Sequence, residues 1–170
     1  MTFPNQDTFV GTYERNGDTS VRQGSGKYTF AAGGYYEGEY SDGKKSGSGT
    51  MVFPDGGKYE GEFADDAMNG EGVYTYSNGD TYEGMFVAGK KSGTGSYFFK
   101  ASASTFMGEF VDGEFKEGEW IYKDGSTYKG TFAEGKPAGE GSYTWAKTGS
   151  VQTGTWKDGA FQGGPIVAGA

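Results

Sequence analysis

One glycine-centred pentapeptide returns along the 170 residues, and its period constrains the fold more than any other feature. Aromatic-x-Gly-x-aromatic occurs as FVGTY (9–13), YEGEY (36–40), YEGEF (59–63), YEGMF (82–86), FMGEF (106–110) and YKGTF (128–132), with a degenerate copy, QTGTW, at 152–156. The central glycines Gly11, Gly38, Gly61, Gly84, Gly108, Gly130 and Gly154 are spaced 27, 23, 23, 24, 22 and 24 residues apart. Nine residues after four of them comes a Gly-x-Gly pair, at Gly47/Gly49, Gly70/Gly72, Gly93/Gly95 and Gly139/Gly141. Copy 1 delays its pair to Gly24/Gly26, copy 5 is one residue short with only Gly118, and copy 7 ends in Gly163-Gly164-Pro165. A fixed period of this length signals stacked supersecondary units, each too small to bury its own apolar face.

Each unit reads as two short strands. In YEGEF the alternation of a strand puts Tyr59, Gly61 and Phe63 on one face and Glu60 and Glu62 on the other. After a turn, GVYTY puts Gly72, Tyr74 and Tyr76 together, and the pattern repeats as Gly95-Tyr97-Phe99, Gly118-Trp120-Tyr122 and Gly141-Tyr143-Trp145. Between strands stand Asp42-Gly43, Asp55-Gly56, Asn78-Gly79, Asp112-Gly113, Asp124-Gly125 and Asp158-Gly159. Asx-Gly favours tight hairpin turns because both residues tolerate positive φ. Successive hairpins would then continue one antiparallel meander of fourteen strands, a ribbon about 65 Å long at about 4.8 Å per strand.

Composition agrees. The chain holds 34 glycines, about three times an average share, with 13 Tyr, 13 Phe, no leucine and only Ile121 and Ile166 as isoleucine. Helix is disfavoured by that much glycine, whereas aromatics with Thr and Val favour strands. A conventional Leu/Ile/Val core is excluded, so rings lying over strand glycines must supply the packing. The expected fold is all-β: an elongated, twisted, single-layer antiparallel sheet of stacked hairpins, with an N-terminal cap at 1–8, a repeat array at 9–164 and a C-terminal tail at 165–170.

Net charge is −8 and the sequence pI about 4.6, which removes the attraction to phosphate backbones that nucleic-acid binding needs. With no His and no Cys, histidine-based triads, the usual zinc sites and thiolate nucleophiles are absent. Glu37, Glu39, Glu60, Glu62, Glu83 and Glu109 recur along the face opposite the rings, an acidic ridge rather than a carboxylate pair across a cleft. Gly38 with Gly43-Lys44 resembles a phosphate-binding loop, yet Lys45 stands where Ser or Thr must hold magnesium. The same failure recurs at Gly89-Lys90-Lys91 and Gly135-Lys136-Pro137, so the spacing belongs to the repeat and not to a nucleotide. No signal peptide and no membrane-spanning run is evident, and the expectation is a cytoplasmic, non-enzymatic chain without metal or cofactor.

The pattern YEGEF…GEGVYTYSNGDTYEG resembles the MORN (membrane occupation and recognition nexus) repeat over about residues 9–164. That resemblance implies a rod of stacked hairpins with an aromatic-lined groove. Carried over by position, the groove rings are Tyr36, Tyr40, Tyr59, Phe63, Tyr82, Phe86, Phe106, Phe110, Tyr128, Phe132 and Trp156. The return-strand rings Tyr74, Tyr97, Trp120 and Tyr143 extend that surface. A single-layer sheet cannot bury both faces, so the ring-lined strip is expected to stay partly exposed and to receive a helix or extended peptide of another protein. Short chains made only of this repeat resemble scaffolds of the ciliary and flagellar axoneme, such as radial spokes, and related microtubule structures. The alternative that the family name suggests is a phospholipid-associating, membrane-apposing module, against which the acidic balance argues. A choline-binding solenoid also combines aromatics with glycine, but the Gly-x-Gly spacing fits MORN better.

Overall fold

The computed structural model describes residues 1–157 and 159–169, and of Asn16 the backbone alone. Seven hairpins follow one another: β1 (Thr8–Asn16) with β2 (Thr19–Thr29), β3 (Tyr35–Ser41) with β4 (Lys44–Val52), β5 (Lys58–Ala64) with β6 (Ala67–Thr75), and β7 (Thr81–Val87) with β8 (Lys90–Phe99). The last three are β9 (Ser104–Val111) with β10 (Glu114–Ile121), β11 (Thr127–Ala133) with β12 (Lys136–Thr144), and β13 (Val151–Lys157) with β14 (Ala160–Val167). All fourteen belong to one antiparallel sheet in sequence order, and the described residues contain no helix. The chain forms two compact units, Met1–Gly79 with Met85–Lys90, and Asp80–Gly84 with Lys91–Ala170.

Each strand contributes one glycine to a line that crosses the strands. In the first unit Gly11, Gly26, Gly38, Gly49, Gly61 and Gly72 pair in succession. In the second, Gly95, Gly108, Gly118, Gly130, Gly141, Gly154 and Gly163 do the same. The reason is steric. A methyl at Gly72 would lie 2.5 Å from the Tyr59 ring, one at Gly49 2.6 Å from Tyr36, and one at Gly95 2.7 Å from Tyr82. Phe9, Tyr36, Tyr59, Tyr82 and Tyr128 therefore each lie over their own strand's glycine and the glycine paired with it. This is the ring-over-glycine packing that the composition required.

The two glycines of Gly-x-Gly have different tasks. Gly49 lies under the ring, whereas Gly47 sits in a bulge, because Gly38 pairs with Gly49 while the next residue, Glu39, pairs with Ser46. Its φ of 55° is left-handed backbone, which glycine adopts without penalty. In β9–β10 the bulge is shorter: Gly108 pairs with Gly118 and Glu109 with Glu117, but Phe110 pairs with Phe115, leaving only Lys116 extra. That is where copy 5 lost its residue.

The Asx-Gly turns prove to be of two kinds. Asp42-Gly43 (φ 50° and 80°) and Asp112-Gly113 (52° and 90°) are left-handed at both positions, as a two-residue hairpin turn needs. Asp65-Asp66, Ala88-Gly89 and Glu134-Gly135 take the same conformation without the Asx-Gly signature. At Asp55-Gly56, Asn78-Gly79 and Asp124-Gly125 only the glycine is left-handed, in longer turns closed by bonds such as Gly56 N–H to Phe53 O (3.0 Å) and Gly125 N–H to Tyr122 O (2.9 Å). Asp158, expected in the last turn, lies outside the described residues. Tight turns close the hairpins from β3–β4 to β11–β12, and the longer turns join one hairpin to the next.

Neighbouring hairpins are also tied at their tips. Gly43 N–H donates to Arg22 O (2.9 Å), Asp66 N–H to Lys45 O (3.2 Å), Gly89 N–H to Met68 O (2.8 Å) and Gly113 N–H to Lys91 O (2.9 Å). Lys44 adds an exposed ion pair to Asp65 (2.7 Å), a contact of little energetic weight. Lys45 beside it is half-buried, with Nζ 5.7 Å from the Tyr36 ring centre.

Candidate peptide-binding face

The fifteen rings expected to line a groove divide by strand. Ten of them, Tyr36, Tyr40, Tyr59, Phe63, Tyr82, Phe86, Phe106, Phe110, Tyr128 and Phe132, are buried at 0–6% exposure. The expectation of a partly exposed strip therefore fails for the first-strand rings, because the rings interlock. Tyr36 meets Phe63 of the next hairpin edge-on at 4.9 Å, Tyr59 meets Phe86 at 5.0 Å and Tyr82 meets Phe110 at 5.0 Å. Phe9 and Phe115, absent from the expected set, join this core at 1% and 5% exposure. Phe115 stacks on Phe106 at 4.6 Å and 7°, and its ring covers Gly118, filling the place that the short bulge opens. In β13 the ring is replaced by Gln152, whose side chain lies over Gly163 and donates from Nε2 to Gly164 O at 2.8 Å.

Phenol groups within this core are satisfied from the backbone where the bulge permits. Tyr36 O–H donates to Glu39 O (2.9 Å) and Tyr59 O–H to Glu62 O (3.0 Å), whereas Tyr128 O–H is buried with no partner. Burial pushes the Tyr36 and Tyr59 phenols up to about 12, and pushes Tyr40 up as well.

The return strands carry a second row with a different character. Tyr74, Tyr97, Trp120 and Tyr143 are half-buried, as is Trp156 on β13. Two residues beyond each return-strand position stands another half-buried ring that was not among the expected site residues: Phe30, Phe53, Tyr76, Phe99, Tyr122 and Trp145. They form pairs: Tyr74–Tyr76 at 4.4 Å, Tyr97–Phe99 at 4.6 Å, Trp120–Tyr122 at 4.6 Å and Tyr143–Trp145 at 4.8 Å. Their signal was in the sequence. Residues 30, 53, 76, 99, 122 and 145 are all aromatic and all 23 apart, a stricter step than that of the first-strand glycines.

Buried polar groups hold this second row. Tyr28 O–H donates to Asp7 Oδ2 (2.7 Å) and Tyr97 O–H to Asp80 Oδ2 (3.0 Å), while the other carboxylate oxygens accept Ala31 N–H (2.7 Å) and Lys100 N–H (2.9 Å). These bonds, led by the Ala31 amide, lower the Asp7 pKa. Ser126 stands in the corresponding position before Tyr128, its hydroxyl accepting Ala146 N–H at 3.2 Å.

A third row closes the tight-turn end of the core. Arg22 lies 5.3 Å from the Tyr28 ring centre and 5.1 Å from that of Tyr40, donating from its guanidinium to Gly43 O (2.7 Å). Lys91 Nζ stands 4.7 Å from the Tyr97 ring centre and 5.5 Å from that of Phe110, and burial lowers its pKa. Where Lys45 pairs with Tyr40, the corresponding register holds Met68 opposite Phe63, Phe115 opposite Phe110 and Pro137 opposite Phe132.

Two open recesses of 310 Å³ lie along the second row in the second unit. One is lined by Lys91, Tyr97, Phe99, Phe106, Phe115, Glu114 and Glu134 among others, the second by Ser102, Ser104, Trp120, Tyr122, Lys123, Asp124 and Tyr143. On the opposite face Glu37, Glu39, Glu60, Glu62, Glu83 and Glu109 are exposed, as the alternation required. Among the described residues no group of three or more His, Cys, Asp or Glu side chains is placed to hold a metal, and no helix is long and apolar enough to cross a membrane. What the return strands offer is a half-buried aromatic surface.

A ladder of hairpins whose rings pack over paired glycines defines a hairpin-repeat protein. The MORN repeat model matches residues 21–35, 36–58, 59–81, 82–101 and 128–150, and the chain belongs to the MORN repeat family. The hairpin with the short bulge, β9–β10, falls outside those matches, as does β13–β14. No curated protein matches the chain. Among solved structures it is similar to the TCP10 domain of Danio rerio CPAP in complex with a peptide of STIL, with a TM-score of 0.53 and 12% identity over 98% of this chain and 76% of that one. It is also similar to the Drosophila melanogaster SAS-4 (dCPAP) TCP domain in complex with a proline-rich motif of Ana2, with a TM-score of 0.50 and 13% identity over 91% and 89% of the two chains. At those identities the likeness is one of fold.

Proposed function

We propose that the chain is a non-catalytic scaffold that holds a peptide segment of another protein against its half-exposed return-strand rings. One observation carries the reading: a row of ring pairs repeats along the sheet, half-exposed, beside a first row that already completes the core. Of the fifteen rings singled out from sequence, Tyr97, Trp120, Tyr143 and Trp156 of the second unit touch the partner, and Tyr74 offers a ring of the same kind in the first unit. The other ten form the platform beneath it. Support comes from the two similar domains, each of which was solved with a peptide of another protein bound. The setting we propose is a cytoskeletal assembly, with the ciliary or flagellar axoneme first, on the strength of the MORN resemblance. The exposed glutamates on the other face keep copies apart and steer basic partners.

The test is affinity capture from axonemal extract with the unaltered chain and with Trp120→Ala/Tyr143→Ala, both checked for β-sheet circular dichroism. The unaltered chain should recover a defined set of axonemal proteins that the folded variant loses. Recovery of the same set by both would sink the reading.

A further inference from the structure

The exposed rungs of the second unit have a measurable step. Tyr97 pairs with Phe106, Phe106 with Trp120, Trp120 with Tyr128 and Tyr128 with Tyr143, so one row of five rings crosses five strands on a single face. Every second ring, Phe106 and Tyr128, is buried; Tyr97, Trp120 and Tyr143 are the accessible ones. Accessible rungs therefore recur every two strands, about 9.6 Å at the ordinary strand spacing.

That step selects among backbone conformations. A polyproline II segment rises about 3.1 Å per residue with three residues per turn, so positions i, i+3 and i+6 share one edge about 9.3 Å apart. Three rungs spanning about 19 Å are met within about 1 Å by that edge. An α-helix running the same way offers i, i+7 and i+14, about 10.5 Å apart, and overshoots the third rung by about 2 Å. An extended strand returns to the same face every two residues, about 6.7 Å, and falls out of step at the second rung.

We infer that the occupant of this face is a cationic proline-rich segment in polyproline II conformation, lying across the strands with a proline at every third residue seated by Tyr97, Trp120 and Tyr143. This rests on the peptide-scaffold reading above and adds the direction, conformation and spacing of the ligand. Proline suits the rungs because its ring stacks on aromatic side chains and its backbone is already ordered, so little entropy is lost on binding. Charge points the same way. The two recesses beside the rungs bring Glu114, Glu134 and Asp124 to their walls against Lys91 and Lys123, on a chain of net charge −8. Lys91 is folded onto the Tyr97 and Phe110 rings, and Glu114 is paired with Lys116, which leaves Glu134 as the outward charge of that recess. Arginine or lysine between the prolines would meet it.

The experiment is fluorescence anisotropy on the full chain with three labelled peptides of equal length and charge. The first carries Pro at i, i+3 and i+6 with Arg between; the second has the same composition with the prolines at i, i+2 and i+6. The third is an amphipathic helix former with Leu at i, i+3, i+4 and i+7. The first should bind at least tenfold more tightly than the second, and Trp120→Ala should cost it at least tenfold. Glu134→Gln should weaken it about threefold at low salt and much less at 1 M salt, where charges are screened within about 3 Å. Equal binding of the first two peptides overturns the inference without needing any variant to fold. Tighter binding of the helical peptide, abolished by Trp120→Ala, overturns the conformation proposed here while leaving the scaffold reading intact. If none of the three binds, or binding ignores both Trp120→Ala and Tyr143→Ser in folded protein, the inference falls and the scaffold reading with it.

Discussion

Two sets of rings alternate across the strands on one face of the sheet, and they differ in what lies beneath them. First-strand rings such as Tyr59 lie over a glycine pair, where the missing side chains let a ring descend onto the backbone. Return-strand rings such as Tyr74 stand directly opposite, equally two residues from that glycine pair, but meet Phe53 and Tyr76 instead of the glycines. Of two rings paired across the strands, the one turned onto the glycine pair is buried and the one turned away from it stays half-exposed. Hydrophobicity does not decide it, since tyrosine and phenylalanine occur in both sets.

The largest expected effect breaks the first row. Tyr59→Ala removes a fully buried ring and its bond to Glu62 O, and should cost about 3–5 kcal/mol in urea unfolding, against about 2 kcal/mol for Tyr74→Ala. Equal losses would erase the distinction between the rows. Next, Gly72→Ala places a methyl 2.5 Å from the Tyr59 ring and should cost about 1–3 kcal/mol, while Gly56→Ala, with open space around it, should show only the smaller penalty of its left-handed φ. A third prediction uses pH. The Tyr36 and Tyr59 phenols are raised from 10.0 to about 12, so the folded state holds those protons more tightly than the unfolded chain. Their stabilisation is whole below pH 10 and is lost as pH rises through about 12. The thermal midpoint should fall across that window, with phenolate absorbance appearing together with unfolding. The smallest effect concerns the closing row: Lys91→Met, which copies the residue at the matching place in β6, should change stability by less than about 1 kcal/mol, because the stem keeps its contact with the rings.

Strand pairing, the hairpin order and the acidic outer face were legible in the sequence, because period-two alternation and the 23-residue step are local signals. The exposure of each ring was not. Alternation says which face Tyr59 and Tyr74 share, but their burial depends on a cross-strand register that brings Gly61 opposite Gly72. Phe115 was missed for a related reason: it stands opposite Phe110 in the place that Lys45, Met68 and Pro137 take in other hairpins, where the repeat carries no aromatic. Turn chemistry was half legible. Asx-Gly marked real turns, yet Ala88-Gly89 and Glu134-Gly135 form the same tight turn because the hairpin on either side imposes it.

The return-strand glycines Gly26, Gly49, Gly72, Gly95, Gly118 and Gly141 keep a 23-residue step even where the first-strand glycines do not. The chain is thus measured out in interchangeable blocks, with its irregularities confined inside them. A tandem duplication of one block, such as residues 54–76, would carry its own turns, bulge, glycine pair and rings, and would meet neighbours of the same shape as before. Recombination between such similar coding segments changes how many rungs the surface has without altering any one of them. Reach, for this architecture, is inherited by copy number, and point substitution is left to adjust the grip.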